Sequence, residues 1–211
     1  MQQPGHGGLP RTRSADGNDR IDRRPFAGGL NLYGYVGNNP VTFTDPFGLM
    51  ECDPAKDEKC EVTGVKEQGR KVILTYNDGE IEIRSAGSRS WRNNNPGNMR
   101  NTTFSQTQGS VGQAGGFAVF PTEGTGQQAL SSLLKTGTYQ SLTVNQAITR
   151  YAPPNENDTR AYQRSLSRLT GLAGATGMNA LSDVQLNQVT GAIRIIKGWS
   201  TGDVLRFFIR K

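Results

Sequence analysis

Lys71-Val-Ile-Leu-Thr-Tyr-Asn-Asp-Gly-Glu-Ile-Glu-Ile-Arg84 reads as two strands joined by a turn. β-Branched and aromatic residues fill both arms, and Asn77-Asp78-Gly79 supplies the turn between them, the signature of an antiparallel hairpin. Downstream the pattern changes from strand to helix. Thr122 caps a helix carrying Leu130, Leu133 and Leu134 on one face. Thr143 and Gln146 form a capping box ahead of Val144, Ala147, Ile148 and Tyr151, and Pro153-Pro154 stops that helix. Asp158 or Thr159 opens a third, with Tyr162, Leu166 and Leu169 facing inward. Ser182 and Gln185 form a second capping box, with Leu181 and Leu186 placed for a hydrophobic staple. Leu186, Val189, Ile193 and Ile196 give the last helix its buried stripe, and Gly198 ends it. Gly116-Phe-Ala-Val-Phe120 reads as a short strand. The predicted class is α+β with helices dominant, and no internal repeat is evident.

The chain has 211 residues, 34% of them hydrophobic, and 27 are glycine. That composition predicts one small, loop-rich core with appendages. No apolar run is long enough to span a membrane, and the N-terminal stretch lacks the apolar centre of a signal peptide. Charge is divided unevenly. Residues 1–87 carry 11 Lys/Arg and 13 Asp/Glu, whereas residues 88–211 carry 13 Lys/Arg and 5 Asp/Glu. A basic C-terminal module suits a polyanion, either nucleic acid or the anionic wall of a bacterium; a solvated basic surface is the plainer alternative. Cys52 and Cys60 are the only cysteines. They either close a small loop disulfide or remain free thiols in a charged linker.

Absences narrow the chemistry. The only histidine is His6, and the module from Ser88 onward has neither His nor Cys. This argues against His-dependent nucleases, Ser-His-Asp hydrolases, cysteine proteases and zinc deaminases. No phosphate-binding Gly-x-x-x-x-Gly-Lys-Ser/Thr loop occurs. The chemistry therefore runs on carboxylates, hydroxyls, amides and arginines, with no cofactor and no metal.

Five carboxylates remain: Glu123, Glu156, Asp158, Asp183 and Asp203. Glu123 and Asp183 sit where an acid complements a helix N-terminus, Asp158 is an N-cap candidate, and Asp203 lies in a Gly-rich tail. Glu156 has no such explanation. It lies in Tyr151-Ala-Pro-Pro-Asn-Glu-Asn-Asp-Thr159, a loop between two helices, and is the first choice for a general acid. Asp158 or Glu123 is the candidate for a second carboxylate, with Tyr151, Pro153 and Pro154 as apolar walls. The other constellation is Trp91-Arg-Asn-Asn-Asn-Pro-Gly-Asn-Met-Arg100. It is either a tight structural turn or a sugar subsite. In the second case Asn93, Asn94, Asn95 and Asn98 offer amides to hydroxyl and N-acetyl groups, Trp91 stacks on a sugar face, and Arg92 and Arg100 hold carboxylates.

Two stretches carry resemblances. Asn31-Leu-Tyr-Gly-Tyr-Val-Gly-Asn-Asn-Pro-Val-Thr-Phe-Thr-Asp-Pro-Phe-Gly-Leu49 resembles the closing segment of the RHS-repeat-associated core, the end of the shell that encloses the C-terminal payload of bacterial Rhs polymorphic toxins. The resemblance covers 22–49. It implies short strands near 30–35 and 41–44, and a boundary after Leu49 between delivery shell and effector. It also implies an autoproteolytic site at paired Asp-Pro-x-Gly elements. Asp45-Pro-Phe-Gly is intact, whereas the first element reads Asp22-Arg-Arg-Pro, with Asp22 present and Pro and Gly displaced. The expected organisation is a disordered start (1–21), the core remnant (22–49), a charged linker and hairpin (50–87) and a toxin module (88–211).

Within that module, Arg92-Asn-Asn-Asn-Pro-Gly-Asn-Met-Arg100, Gly116-Phe-Ala-Val-Phe120 and Tyr151-Ala-Pro-Pro-Asn-Glu-Asn-Asp-Thr159 together resemble a module of tailed-phage structural proteins and other Rhs C-termini. Those proteins are read as wall-penetrating and lysozyme-like. The Asn turn is also similar to the Asn-Asn-x-Phe-Gly turn of flagellar-type glucosaminidases, in which a catalytic Glu precedes the turn on a helix. Here Glu80 and Glu82 precede it on a predicted strand.

These resemblances imply an antibacterial effector of interbacterial competition, exported through its Rhs shell by type VI-like secretion machinery into the periplasm of a target bacterium. It would cut peptidoglycan glycan strands as a two-carboxylate hydrolase or, with Glu156 alone, as a lytic transglycosylase. They also imply a cognate immunity protein as partner. A nuclease acting on DNA or RNA and a non-catalytic wall-binding module are the alternatives.

Overall fold

The hairpin opens a four-stranded antiparallel sheet in the computed structural model, which describes residues 60–208. The expectations for the start, the core remnant, Asp22, Asp45 and Cys52 lie outside those residues. The sheet consists of β1 (Val62–Gln68), β2 (Lys71–Tyr76), β3 (Glu80–Ser85) and β6 (Asp203–Phe208), in the order β1-β2-β3-β6. The predicted hairpin is β2 and β3, with Leu74 opposite Glu82 and Val72 opposite Arg84. Asp78 closes its turn by accepting from the Glu80 N–H at 2.8 Å, and Gly79 takes the positive φ of +90° that the turn requires.

Both outer strands differ from the sequence reading. Val62–Gln68 falls in the stretch expected to be a charged linker, yet it pairs with β2 through Val65↔Leu74 and Glu67↔Val72. Lys66 and Glu67 dilute its apolar alternation, which hides the strand. Asp203–Phe208, expected as tail, pairs with β3 through Glu82↔Arg206. The chain's last strand therefore joins the sheet that precedes the helices. Cys60 is buried and disulfide-bonded. It packs with Val72, Leu74, Tyr76, Ala114 and Val119 in a small core under the sheet.

After the sheet come two short helices, α1 (Arg89–Arg92) and α2 (Thr103–Thr107), and a ribbon of β4 (Gly112–Ala114) and β5 (Phe117–Val119). The predicted strand is β5. The helical body is α3 (Glu123–Leu134), α4 (Gly137–Gln140), α5 (Val144–Tyr151), α6 (Thr159–Thr170) and α7 (Asp183–Ile196). The four predicted helices are α3, α5, α6 and α7, and each starts at its predicted cap. Thr122 accepts from Thr125 N, Asp158 accepts from Ala161 N, and Thr143/Gln146 and Ser182/Gln185 form capping boxes. Each such cap contributes about 1 kcal/mol.

Phe120, Leu130, Leu134, Ile148, Leu166 and Ile193 are fully buried and form the main core together with Met99 and Tyr162. Leu169 departs from expectation, being 46% exposed. α6 ends one residue later and Gly171 turns the chain at φ +72°, so Leu172 fills the core instead. The fold class is α+β. Among the described residues no helix is long and apolar enough to cross a membrane.

Candidate functional site

The asparagine turn divides into an inner and an outer half. Ser88 caps α1 by accepting from Trp91 N, which fixes where the turn begins. Asn93 donates its amide to Ala114 O at 3.2 Å, and Asn94 donates to Phe120 O at 3.1 Å and Pro121 O at 3.0 Å. Asn95 donates to Met99 O and Ala118 O, both at 2.9 Å, and accepts from Met99 N at 2.9 Å. All three are buried. They satisfy backbone groups of the turn and ribbon that would otherwise be costly to bury.

Arg92 is likewise committed, donating to Ala86 O at 2.9 Å and Gly87 O at 2.7 Å. Trp91 is buried with the Arg84 guanidinium 4.3 Å from its ring centre, and Arg84 donates to Asn94 Oδ1. The expected sugar contacts from Trp91, Arg92, Asn93, Asn94 and Asn95 are therefore corrected: these side chains build the scaffold and present no free edge.

The outer half, Gly97 to Arg100, lines a cleft. Asn98, Arg100, Tyr151 and Glu156 share it with Arg89, Phe117 and Lys197, in a volume of about 460 Å³. Two features close this arrangement. Tyr151, at the end of α5, donates its hydroxyl to Gly97 O. Pro153 O accepts from Glu156 N at 3.0 Å, curling the loop so that Glu156 stands beside the turn. Arg100 Nη2 lies 3.6 Å from Glu156 Oε2, with the two side chains 59% and 56% exposed. The Arg100 and Arg89 guanidinium carbons lie 4.5 and 4.6 Å from the Phe117 ring centre. Asn98 takes φ +51°, and its side-chain oxygen is buried with no hydrogen-bond partner among the described residues.

Lys197 sits at the rear of the cleft, 5.7 and 5.4 Å from the ring centres of Tyr151 and Tyr162, and its ammonium is 3.5 Å from Asn157 Oδ1. Burial pulls its pKa down, and the nearby Glu156 charge opposes that shift. Burial also raises the Tyr151 phenol well above its ordinary value.

The other two candidate carboxylates lie elsewhere. Glu123 is 2.8 Å from Arg194 in an ion pair at the start of α3. Asp158 spends one oxygen capping α6, and borders a separate cavity of about 260 Å³ that shares Asn157 and Lys197 with the cleft. Asp183 pairs with Lys135 at 2.8 Å. Glu82, one of the acids that precede the turn, is buried in the sheet. It accepts from Tyr76 Oη at 3.0 Å and lies 2.6 Å from Arg206 Nη2. Burial and then the Glu82 charge push the Tyr76 phenol up.

Of the residues singled out in the sequence, Asn98, Arg100, Tyr151 and Glu156 line one cleft, together with Arg89, Phe117 and Lys197, which the sequence reading did not single out. Lys197 looks in the sequence like an ordinary basic residue at a helix C-terminus, and nothing in the pattern places it against two tyrosines. No protein-family model matches the chain, and no curated protein matches it.

Proposed function

We propose that the chain is the C-terminal end of an Rhs-type antibacterial toxin whose module cuts peptidoglycan glycan strands in the periplasm of a target cell. The observation that carries this reading is the composition of the cleft wall: one carboxylate, Glu156, set among three cations, Arg89, Arg100 and Lys197. Peptidoglycan suits such a cleft, because its glycan is neutral along the chain and carries carboxylates on its lactyl and peptide branches. A single acid favours the lytic-transglycosylase form over a two-carboxylate hydrolase, whose second group has to stand within about 5–10 Å of the first.

In this form Glu156 protonates the glycosidic oxygen. The bond from C1 of the muramyl sugar to that oxygen breaks, and its electron pair leaves with the departing sugar. The C6 hydroxyl of the muramyl residue then closes on C1, and its proton passes to the Glu156 carboxylate. The bound strand itself covers the half-exposed Glu156 and excludes water. Asn98, the half-buried amide residue of the turn that lines the cleft, is the one best placed to orient an acetamido group.

Product analysis tests this. The full chain incubated with purified murein is expected to release 1,6-anhydromuramyl ends. Reducing ends alone would point to hydrolysis, and no soluble product would remove the enzymatic reading. The second reading is binding without cleavage, to a wall polymer or to nucleic acid. The stacking of Arg89 and Arg100 on Phe117 favours it, since cations interleaved with an aromatic ring suit a polyanion. Retention of the chain on murein or on single-stranded nucleic acid, with no change in either polymer, would select that reading.

A further inference from the structure

Arg100 and Glu156 face each other across the cleft as an exposed ion pair 3.6 Å apart. An ion-paired carboxylate only accepts hydrogen bonds and has no proton to give. A general acid must hold one. The pair as it stands is therefore incompatible with the first step of the proposed reaction, and one partner has to be exchanged before chemistry starts.

Arg100 is built for that exchange. Its guanidinium rests on the Phe117 ring, which holds a planar cation by its face and leaves its N–H edge to bind a carboxylate. Its backbone is anchored independently, because Arg100 bridges to Phe117 through the main chain. What sets Arg100 apart from the other two cations of the cleft is its ion pair with Glu156. Lys197 is drawn back against Tyr151 and Tyr162, and Arg89 lies over the same Phe117 ring. Both keep the cleft cationic, so an incoming anion is attracted to it.

On the reading of the cleft as a glycan site, on which this inference rests, we infer that Arg100 determines specificity by transferring its guanidinium from Glu156 to a carboxylate carried by the substrate, which releases Glu156 to act as the acid. Arg100 stays charged throughout, the substrate carboxylate replaces the Glu156 carboxylate as its partner, and Glu156 takes one proton from a hydronium ion or buffer acid, whose conjugate base remains in solution. A glycan without carboxylates, such as chitin, enters the cleft without opening the pair and is a poor substrate.

Binding and turnover test this separately on the full chain. In binding, N-acetylmuramyl dipeptide is compared with its fully amidated form. Wild type is expected to bind the acid roughly tenfold tighter, the worth of one charge-assisted contact. Arg100→Met is expected to bind both alike, and Arg100→Lys to keep part of the preference. In turnover, Arg100→Met is expected to raise KM on peptide-bearing murein roughly tenfold, while its kcat on neutral chitooligosaccharides rises above that of wild type. Equal binding of acid and amide by wild type, or full discrimination retained in Arg100→Met, would overturn the inference. If wild type cleaves murein without discriminating, this inference alone falls. If it discriminates yet cleaves no glycan, the glycan-cutting reading falls and the release step goes with it.

Discussion

Tyr151 on α5 donates its hydroxyl to the carbonyl oxygen of Gly97, 54 residues away in the asparagine turn. This contact sets the Pro-Pro loop beside the turn and so creates the cleft. It also explains why position 97 is glycine. A Cβ there would collide with the Tyr151 hydroxyl and lie 3.0 Å from a Leu130 methyl. Gly97→Ala is therefore expected to destabilise the protein by roughly 1–3 kcal/mol, the usual cost of overpacking. Urea unfolding checks this; an unchanged midpoint would show that the contact is dispensable.

The three candidate carboxylates separate by partner. Glu123 is paired with Arg194 and Asp158 caps α6, so on the proposed reading neither acts as the acid. Glu123→Gln and Asp158→Asn are expected to keep kcat on murein within about twofold of wild type, the latter because Asn caps a helix as well as Asp. Asp158→Ala is expected to cost about 1 kcal/mol of stability through the lost cap. A hundredfold loss of kcat in either conservative variant, with unchanged melting, would return that residue to the mechanism.

Lys197 links the site to pH. Burial lowers its folded pKa below the ordinary value of 10.5. Below the folded value both states hold the proton, and the folded protein bears the whole cost of burying the ammonium. Between the two values the unfolded chain holds more protons, so stability rises with pH across that window. Lys197→Met is free of this cost. The variant is expected to melt above wild type near neutral pH, with the gap narrowing as pH approaches 10.5. A gap of opposite sign, or one that does not change with pH, would contradict the assignment.

The legible parts of this molecule were those written in local chemistry. The caps at Thr122, Thr143, Asp158 and Ser182 satisfy backbone donors within three residues, and a sequence displays such pairs directly. β1 was hidden because Lys66 and Glu67 break its alternation, although it pairs with its neighbour β2 across a two-residue turn; β6 was hidden because its pairing with β3 is non-local and Arg206 interrupts its apolar run. The asparagine turn misled in an instructive way. A run of amides looks the same whether it binds a ligand or the backbone, and only the burial of Asn93, Asn94 and Asn95, against the half-buried Asn98 that lines the cleft, separates the two uses. Glu156 was singled out by elimination, since Glu123, Asp158 and Asp183 had a cap or helix terminus to serve and Asp203 lay in a Gly-rich tail. Lys197 was not legible, because its environment is made by Tyr151 and Tyr162 from two other helices.

On the proposed mechanism, Glu156 supplies the proton that breaks the glycan strand. The direct measurement is murein turnover by purified Glu156→Gln beside wild type at equal concentration, with melting curves recorded for both. Superimposable melting is expected, with kcat reduced by at least roughly a hundredfold, the scale of losing a general acid. Equal release of muropeptides by the two proteins would contradict it.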